Sequence, residues 1–278
     1  MSALRLGTRG SALALAQARW VAAQLGDVEI VEVTTAGDVD RRAGDKSRWT
    51  GALEQALLAG AIDVAVHSAK DVPGELAART AIVAVPPRAD PRDVLVGADS
   101  LQALPGGARV GTSALRRRAQ LLAVRPELDV VELRGNVDTR LRKLADGEVE
   151  ALVLAAAGLA RLGRDDVAAA PLAGDVFVPA PGQGFLLVQG RAGESLESVD
   201  DPASHSALAS ERAVVAELDA SCHTPVGVHR GANGMRAFVG LPDGSEWLID
   251  EAPDPHTLAD RLLAAGAADL LARAEALA

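Results

Sequence analysis

The sequence predicts an α/β protein that ends in a small α+β module, and three observations carry this. Strand-like apolar segments alternate with helix-like ones through residue 190, the pattern of βα units whose strands lie parallel in a sheet. Two Pro/Gly-rich stretches, PPRADPRD (86–93) and PAPGQG (179–184), cut into that alternation and read as crossings between lobes. After residue 200 the pattern changes to a helix, three short strands with hairpin spacing and a closing helix. The expected division is 1–88 with 178–200 as one lobe, 89–177 as a second, and 201–278 as a C-terminal domain.

Taken in order, Leu4–Leu6 is a short strand. The turn GTRGS follows, and Ser11 is placed to cap a helix running to about Leu25. Val28–Thr35 alternates like a strand. Residues 36–50, polar and rich in Gly and Asp, read as a mobile loop, with a helix from about Gly51 to Leu58. Ile62–Val66 and Ile82–Val85 are strands, separated by HSAKDVPGE, where Pro73 and Gly74 stop regular structure. A second βα series begins at Val94. It continues with a strand ending at Val110, a helix over 114–123, a strand at Val130–Leu133, a helix over 137–145, a buried strand at Ala151–Ala155 and a turn, AAGLARLG (156–163). Phe185–Gln189 is a strand. The tail is a helix over 204–219, strands in SCHTPVGVHR, MRAFVGL and SEWLIDE with a turn at Pro242-Asp243-Gly244, and one helix over 257–276.

Composition sets the functional bounds. The 278 residues carry a net charge of -10, with 2% aromatics and no tyrosine. An acidic chain without stacking platforms argues against nucleic acid, and no apolar run is long enough for a membrane span. One cysteine excludes an internal disulfide framework and any multi-thiolate metal site. The N-terminus reads as strand, turn and helix, with Gln17 and Arg19 inside the helix, and not as a signal peptide. These features point to a cytoplasmic enzyme or binding protein.

Against that acidic background, Arg109–Lys143 holds nine basic residues and four acidic ones, a local +5 that leaves −15 for the rest of the chain. Such a basic island implies an anionic ligand. Three times the chain writes strand, small polar turn and helix with arginine at the junction. The turns hold Arg9 and Ser11, then Thr112, Ser113, Arg116 and Arg117, then Arg134, Asn136 and Arg140. Helix starts present unpaired N–H groups and a positive dipole end, and a guanidinium fork completes a carboxylate or phosphate site. Three such turns suggest a small ligand with several carboxylates.

His67-Ser68-Ala69-Lys70-Asp71 also follows a strand directly. Asp71 is a candidate charge stabiliser or general acid/base and Lys70 a candidate anion contact; a solvated turn stopped by Pro73 is the competing reading. Cys222, in LDASCHTPVGV, is either a small buried hydrophobe or a nucleophile on a loop. His67, His205, His229 and His256 show no metal-ligand spacing and read as surface or cap residues. No Walker loop or G-x-G-x-x-G is present, which leaves nucleotide binding without support.

Eight motifs occur in collinear order: LGTRGSALALAQ (6–17), VAVHSAKDVP (64–73), DPRD (90–93), GTSALRRRAQL (111–121), LRGNVDTRL (133–141), AGLARLG (157–163), PAPGQG (179–184) and SERAVVAELDASCHTPVG (210–227). Together they resemble the porphobilinogen deaminase, or hydroxymethylbilane synthase, family across nearly the whole chain. The resemblance implies a transferase that links four porphobilinogen molecules head to tail with release of ammonia, then frees hydroxymethylbilane with water. It implies a dipyrromethane cofactor held by a thioether, which maps onto Cys222. Asp71 matches the aspartate that holds pyrrole N–H groups and stabilises the cationic azafulvene left by ammonia. The cofactor set carried over is Ser11, Ser68, Lys70, Asp71, Thr112, Ser113, Arg116, Arg117, Arg134, Asn136 and Cys222. The substrate set is Arg9, Ser11, Gln17, Arg134, Arg140, Arg161 and Gln183. No metal is implied. The resemblance further implies a monomer built of two lobes like those of periplasmic binding proteins, with mixed sheets, and a third domain presenting the cysteine. Three stretches depart from the family pattern: GDKSRWTGALE (44–54) keeps Lys46 but has Trp49 where a phenylalanine is usual and lacks the usual glycines, Ala114 replaces a serine, and Ala220-Ser221 replaces Gly-Gly.

Overall fold

The computed structural model describes residues 3–39, 46–172, 176–221 and 223–277. The chain forms two compact units, one of Met1–Ala89 with Gly184–Ala209, the other of Asp90–Gln183 with Ser210–Ala278.

The first unit opens with β1 (Leu4–Thr8), α1 (Ala12–Leu25), β2 (Val28–Glu32), α2 (Ala36–Val39), α3 (Ser47–Leu58), β3 (Val64–Ser68), a 3-10 turn (Ala69–Asp71) and β4 (Thr80–Ala84). The second begins with β5 (Asp93–Val96), β6 (Arg109–Gly111), α4 (Leu115–Val124), β7 (Asp129–Val131), α5 (Val137–Ala145), β8 (Ala151–Ala155), α6 (Ala156–Arg161) and β9 (Ala169–Pro171). The chain then returns to the first sheet as β10 (Leu186–Arg191), and the next unit boundary falls within α7 (Pro202–Glu217). The tail adds β11 (Val226–Gly231), β12 (Gly234–Gly240), β13 (Trp247–Ala252), α8 (Pro255–Ala264) and α9 (Ala267–Ala276).

The two larger sheets share one topology. Their strand orders are β2-β1-β3-β10-β4 and β7-β6-β8-β5-β9. In each, the first three strands are parallel and the fourth is antiparallel to both its neighbours. That fourth strand is in both cases the first to arrive after a crossing. It comes without the βα connection that would carry it back to the far end of the sheet, so it runs the other way. Alternation alone implied parallel sheets; these crossing strands make them mixed. The third sheet, β11-β12-β13, is an antiparallel meander whose core packs Val214 of α7 with Val228, Met235, Val239, Leu258 and Leu270.

Several expected elements differ. Segment 36–50 is not wholly loop: α2 forms over Ala36–Val39, and α3 starts at Ser47, before the expected Gly51. Asp38 anchors α2 by accepting from the Thr35 N–H and hydroxyl at 3.2 and 2.7 Å. Residues 40–45 of that segment lie outside the described residues. AAGLARLG contains a helix, α6, because Ala157 and Leu159 find buried positions. The closing helix is two, broken at Gly266 with φ of +98°, a conformation suited to glycine. β9 was not anticipated; three residues are too few for a periodic signal.

The shared topology places β1 and β6 alike, each between two parallel neighbours and each leading through Gly-Thr into a helix. Glycine suits the close packing there, since a Cβ would force a neighbouring side chain to move. A Cβ on Gly7 would lie 2.3 Å from Ile62 Cδ1, and one on Gly111 would lie 2.8 Å from Leu133 Cδ2. The threonines that follow, Thr8 and Thr112, are buried. In this way the sheet core fixes where each polar turn emerges.

Candidate active site

In the first unit, a pocket is lined by Arg9, Ser11 and Gln17 from the β1–α1 turn and α1, by Trp49 and Thr50 of α3, and by His67, Ser68 and Asp71 at the end of β3. The local sequence explains the placement. Ser11 takes an extended backbone and its Oγ accepts from Ala14 N at 3.3 Å, starting α1. Gln17 lies on the inner face of α1 and is buried. The 3-10 turn is tied to the residue just before β10 by Ala69 N donating to Phe185 O at 3.1 Å, and it leaves Lys70 half-buried and Asp71 exposed. Thus five expected residues, Arg9, Ser11, Gln17, Ser68 and Asp71, line one pocket.

His67 lines it too, and it is not a surface residue: it is buried in β3. Burial drives its imidazole down to about 4, with Arg9 acting in the same direction and Glu54, Gln189 and Asp71 opposing. Behind it Glu54 accepts from Ala77 N at 3.1 Å and Gln189 Nε2 at 2.9 Å. The clue in the sequence was position, since His67 falls inside the apolar run VAVHS.

In the second unit the GTSALRR turn converges on Asp93, which sequence reasoning did not select. Arg116 Nη1 donates to Asp93 Oδ2 at 2.7 Å and to Val178 O at 2.8 Å. Arg117 Nε donates to Asp93 Oδ1 at 3.0 Å and its Nη1 to Val153 O at 2.9 Å. Gln183 Nε2 donates to the same Oδ1 at 2.9 Å and to Pro91 O at 2.7 Å. All four side chains are buried. Burial alone would raise the Asp93 pKa; the two guanidiniums and their hydrogen bonds outweigh it and hold the carboxyl well below the usual range. Arg116, Arg117 and Gln183 are therefore brought together, around an internal carboxylate. The available signal was an aspartate directly before the apolar strand DVLV.

The remaining arginines are more open. Arg140 Nη2 donates to Ser113 Oγ at 3.0 Å, while its Nε is buried with no hydrogen-bond partner among the described residues. Burial lowers its pKa, and Arg117 adds to this. Arg161, in the last turn of α6, is pushed down to about 10 by burial. Arg134 is exposed and its Nε donates to Glu132 at 2.6 Å. Asn136 caps α5, accepting from Thr139 N at 2.8 Å, and Thr112 Oγ1 accepts from Ala114 N at 3.2 Å. Cys222 lies outside the described residues. No group of three His, Cys, Asp or Glu side chains suited to a metal occurs among the described residues, and none of the described helices is long and apolar enough to cross a membrane.

Comparison with known proteins places these clusters in one family. Residues 4–198 match the family model described as porphobilinogen deaminase, dipyromethane cofactor binding domain, and residues 206–256 match the model of its C-terminal domain. The porphobilinogen deaminase of Roseiflexus castenholzii is 44% identical, with 98% of this chain and 99% of that protein covered. That of Rubrobacter xylanophilus is 46% identical over 96% of each chain. Among solved structures, an ancestral cationic amino acid solute binding protein is 16% identical with a TM-score of 0.39, covering 69% of this chain and 83% of that one. The chain belongs to the porphobilinogen deaminase family, the hydroxymethylbilane synthase transferases of tetrapyrrole biosynthesis that carry a dipyrromethane cofactor.

Proposed function

We propose that Asp71 is the catalytic group of this deaminase and that the arginine turns take the carboxylates of its pyrroles. The observation that carries the reading is the first-unit pocket, where Arg9, Ser11, Gln17 and Ser68 surround Asp71. Each porphobilinogen brings two carboxylates, a pyrrole N–H and an aminomethyl group. An exposed carboxylate such as Asp71 accepts the N–H, and its negative charge stabilises the pyrrole cation left as ammonia departs. Arg9 orients the ring through a side-chain carboxylate, and the hydroxyls of Ser11 and Ser68 supply weaker contacts to it.

The donor set fits the cofactor. A dipyrromethane carries four carboxylates. Ser113 is one of its contacts, and beside that hydroxyl Arg140, which we assign to a substrate carboxylate, has a buried Nε without a partner among the described residues. Arg134 is a further cofactor cation of the second unit, Arg161 is a substrate cation of the same unit, and Lys70 is an anion contact on the first unit's 3-10 turn. Arg116 and Arg117 keep one net positive charge after pairing with Asp93, and we assign them to the positive floor of the Thr112–Ser113 turn. Cys222 would hold the cofactor by a thioether; when bound, the group supplies the nucleophilic pyrrole carbon to which substrate units are joined. The matches at 4–198 and 206–256, with the separate core of β11–β13, support a C-terminal domain over 201–278 beside lobes of 1–88 with 178–200 and of 89–177. The acidic composition and single cysteine support a cytoplasmic protein without nucleic-acid or membrane partners, and the family resemblance supports a monomer.

Intact mass spectrometry tests the assignment. The purified protein should exceed its sequence mass by two linked pyrroles, and Cys222→Ala should remove the increment. Asp71→Asn should keep the increment and fold while losing nearly all turnover. Full activity from protein of unmodified mass would overturn it.

A further inference from the structure

Arg9 is held from two sides by residues that the proposed chemistry does not use. Its Nη2 donates to Asp38 Oδ1 at 2.5 Å and its Nε reaches both Asp38 oxygens at 3.2 and 3.3 Å, a forked pairing. Its guanidinium carbon lies 4.0 Å from the centroid of the Trp49 ring, within cation–π range. Both side chains of the ion pair are only 20% exposed, so the pair is screened less than a surface one. Trp49 in turn is seated on Gly37, where a Cβ would fall 2.4 Å from Trp49 Cε3. Asp38 is fixed independently by the Thr35 N–H and hydroxyl. Burial would raise the Asp38 pKa, but Arg9 and Thr35 bring it below the ordinary value, so it is a carboxylate at neutral pH.

We propose that Trp49 and Asp38 form a two-part seat for Arg9, in which Trp49 fixes the guanidinium plane and Asp38 occupies the Nε–Nη2 edge, for which a substrate carboxylate competes. Asp38 is then a built-in competitor that sets the affinity of the pocket, and Trp49 is a positioning residue that keeps the fork aimed when Asp38 is displaced. The geometry separates the roles. A ring face touches the guanidinium without using its N–H groups, whereas the forked Asp38 carboxylate takes up the Nε–Nη2 edge that would otherwise be open to an incoming carboxylate. The inference rests on the reading of Arg9 as a substrate-carboxylate contact.

The test is the KM for porphobilinogen of the holoenzyme, with intrinsic fluorescence as a second readout. Asp38→Asn removes the competing charge but keeps an acceptor for Thr35, and should lower KM by about threefold. Trp49→Leu should raise KM about fivefold with a smaller effect on kcat, and Trp49→Phe should restore most of the loss by keeping a ring face. In a Trp20→Phe/Trp247→Phe background, Trp49 emission should change on addition of porphobilinogen, and the change should saturate at lower concentration in the added Asp38→Asn variant. A KM that rises in Asp38→Asn, or a Trp49→Phe variant as impaired as Trp49→Leu, overturns the seat. Arg9→Gln separates the two levels. If it raises KM while Asp38→Asn fails to lower it, the inference alone falls; if it leaves KM unchanged, the role of Arg9 falls with it.

Discussion

Asp93 accepts from Arg116 at 2.7 Å with both side chains buried, and Arg117 lies 2.8 Å from its other oxygen. A carboxylate between two guanidiniums in a dry site is strongly destabilised when one member is neutralised, because the others keep their desolvation cost without the attraction. Asp93→Asn should therefore cost about 3–5 kcal/mol of stability, read as a lower midpoint in urea unfolding. The pH dependence has a definite sign. The folded pKa of Asp93 is depressed, so its contribution is complete above the unfolded value of about 4 and is lost as pH falls below it. Acid unfolding of the wild type should begin there, and Asp93→Asn should lack that component.

His67 titrates in a different window. Its folded pKa is about 4, against roughly 6.5 for an unfolded chain. Between those values the unfolded state binds a proton that the folded state refuses, so stability should decline as pH falls from 6.5 to 4. The slope is about 1.4 kcal/mol per pH unit, for a total on the order of 3 kcal/mol. Above pH 7 the residue contributes no pH dependence. Urea unfolding of wild type and His67→Gln at pH 7.5 and 5 checks this, since Asp93 stays ionised throughout. An equal decline in both proteins would rule out His67 as the source.

Gly7 tests how the sheet core sets the pocket. Alanine there would put a methyl 2.3 Å from Ile62 Cδ1 and 3.1 Å from Leu53 Cδ2, and both neighbours are fully buried. The backbone of Gly7 is not left-handed, so the cost is overpacking alone, about 1–3 kcal/mol. Shortening the clashing side chain should relieve it. Gly7→Ala/Ile62→Val is expected to recover about half of the thermal stability lost by Gly7→Ala, and no recovery would point to a cause outside this contact.

These cases show what the sequence could and could not reveal. The turn at Ser11 was legible because capping is local: one hydroxyl, one N–H and an apolar run behind them. The same holds for the span of α5, 137–145, although the capping role of Asn136 emerges only in the structure. Asp93 was not, because its partners lie 23 and 24 residues away for the arginines and 90 away for Gln183; only the folded chain makes them neighbours. Arg116 and Arg117 were selected as anion contacts on the same local pattern as Arg9, yet their nearest anion is internal. The burial of His67 depended on β10 arriving beside β3, with Leu187 opposite His67, a crossing that hydrophobic periodicity does not encode.

Arg140 offers the sharpest test of the second-unit turn. Its Nη2 is held on Ser113 Oγ at 3.0 Å while its Nε is buried and without a partner among the described residues. Such an N–H awaits an acceptor, and a ligand carboxylate meeting the Nε edge would make a charge-assisted pair. Lysine keeps the charge but loses the fork. Arg140→Lys should therefore raise KM for porphobilinogen about tenfold, as expected for one lost hydrogen bond to a charged group of about 1.5 kcal/mol. Ser113→Ala removes only the contact that orients the fork and should raise KM by less. Thermal melting distinguishes this from misfolding, since an arginine with an unmet N–H adds little to stability. Steady-state kinetics showing Ser113→Ala as impaired as Arg140→Lys would mean that the hydroxyl, and not the guanidinium, meets the ligand.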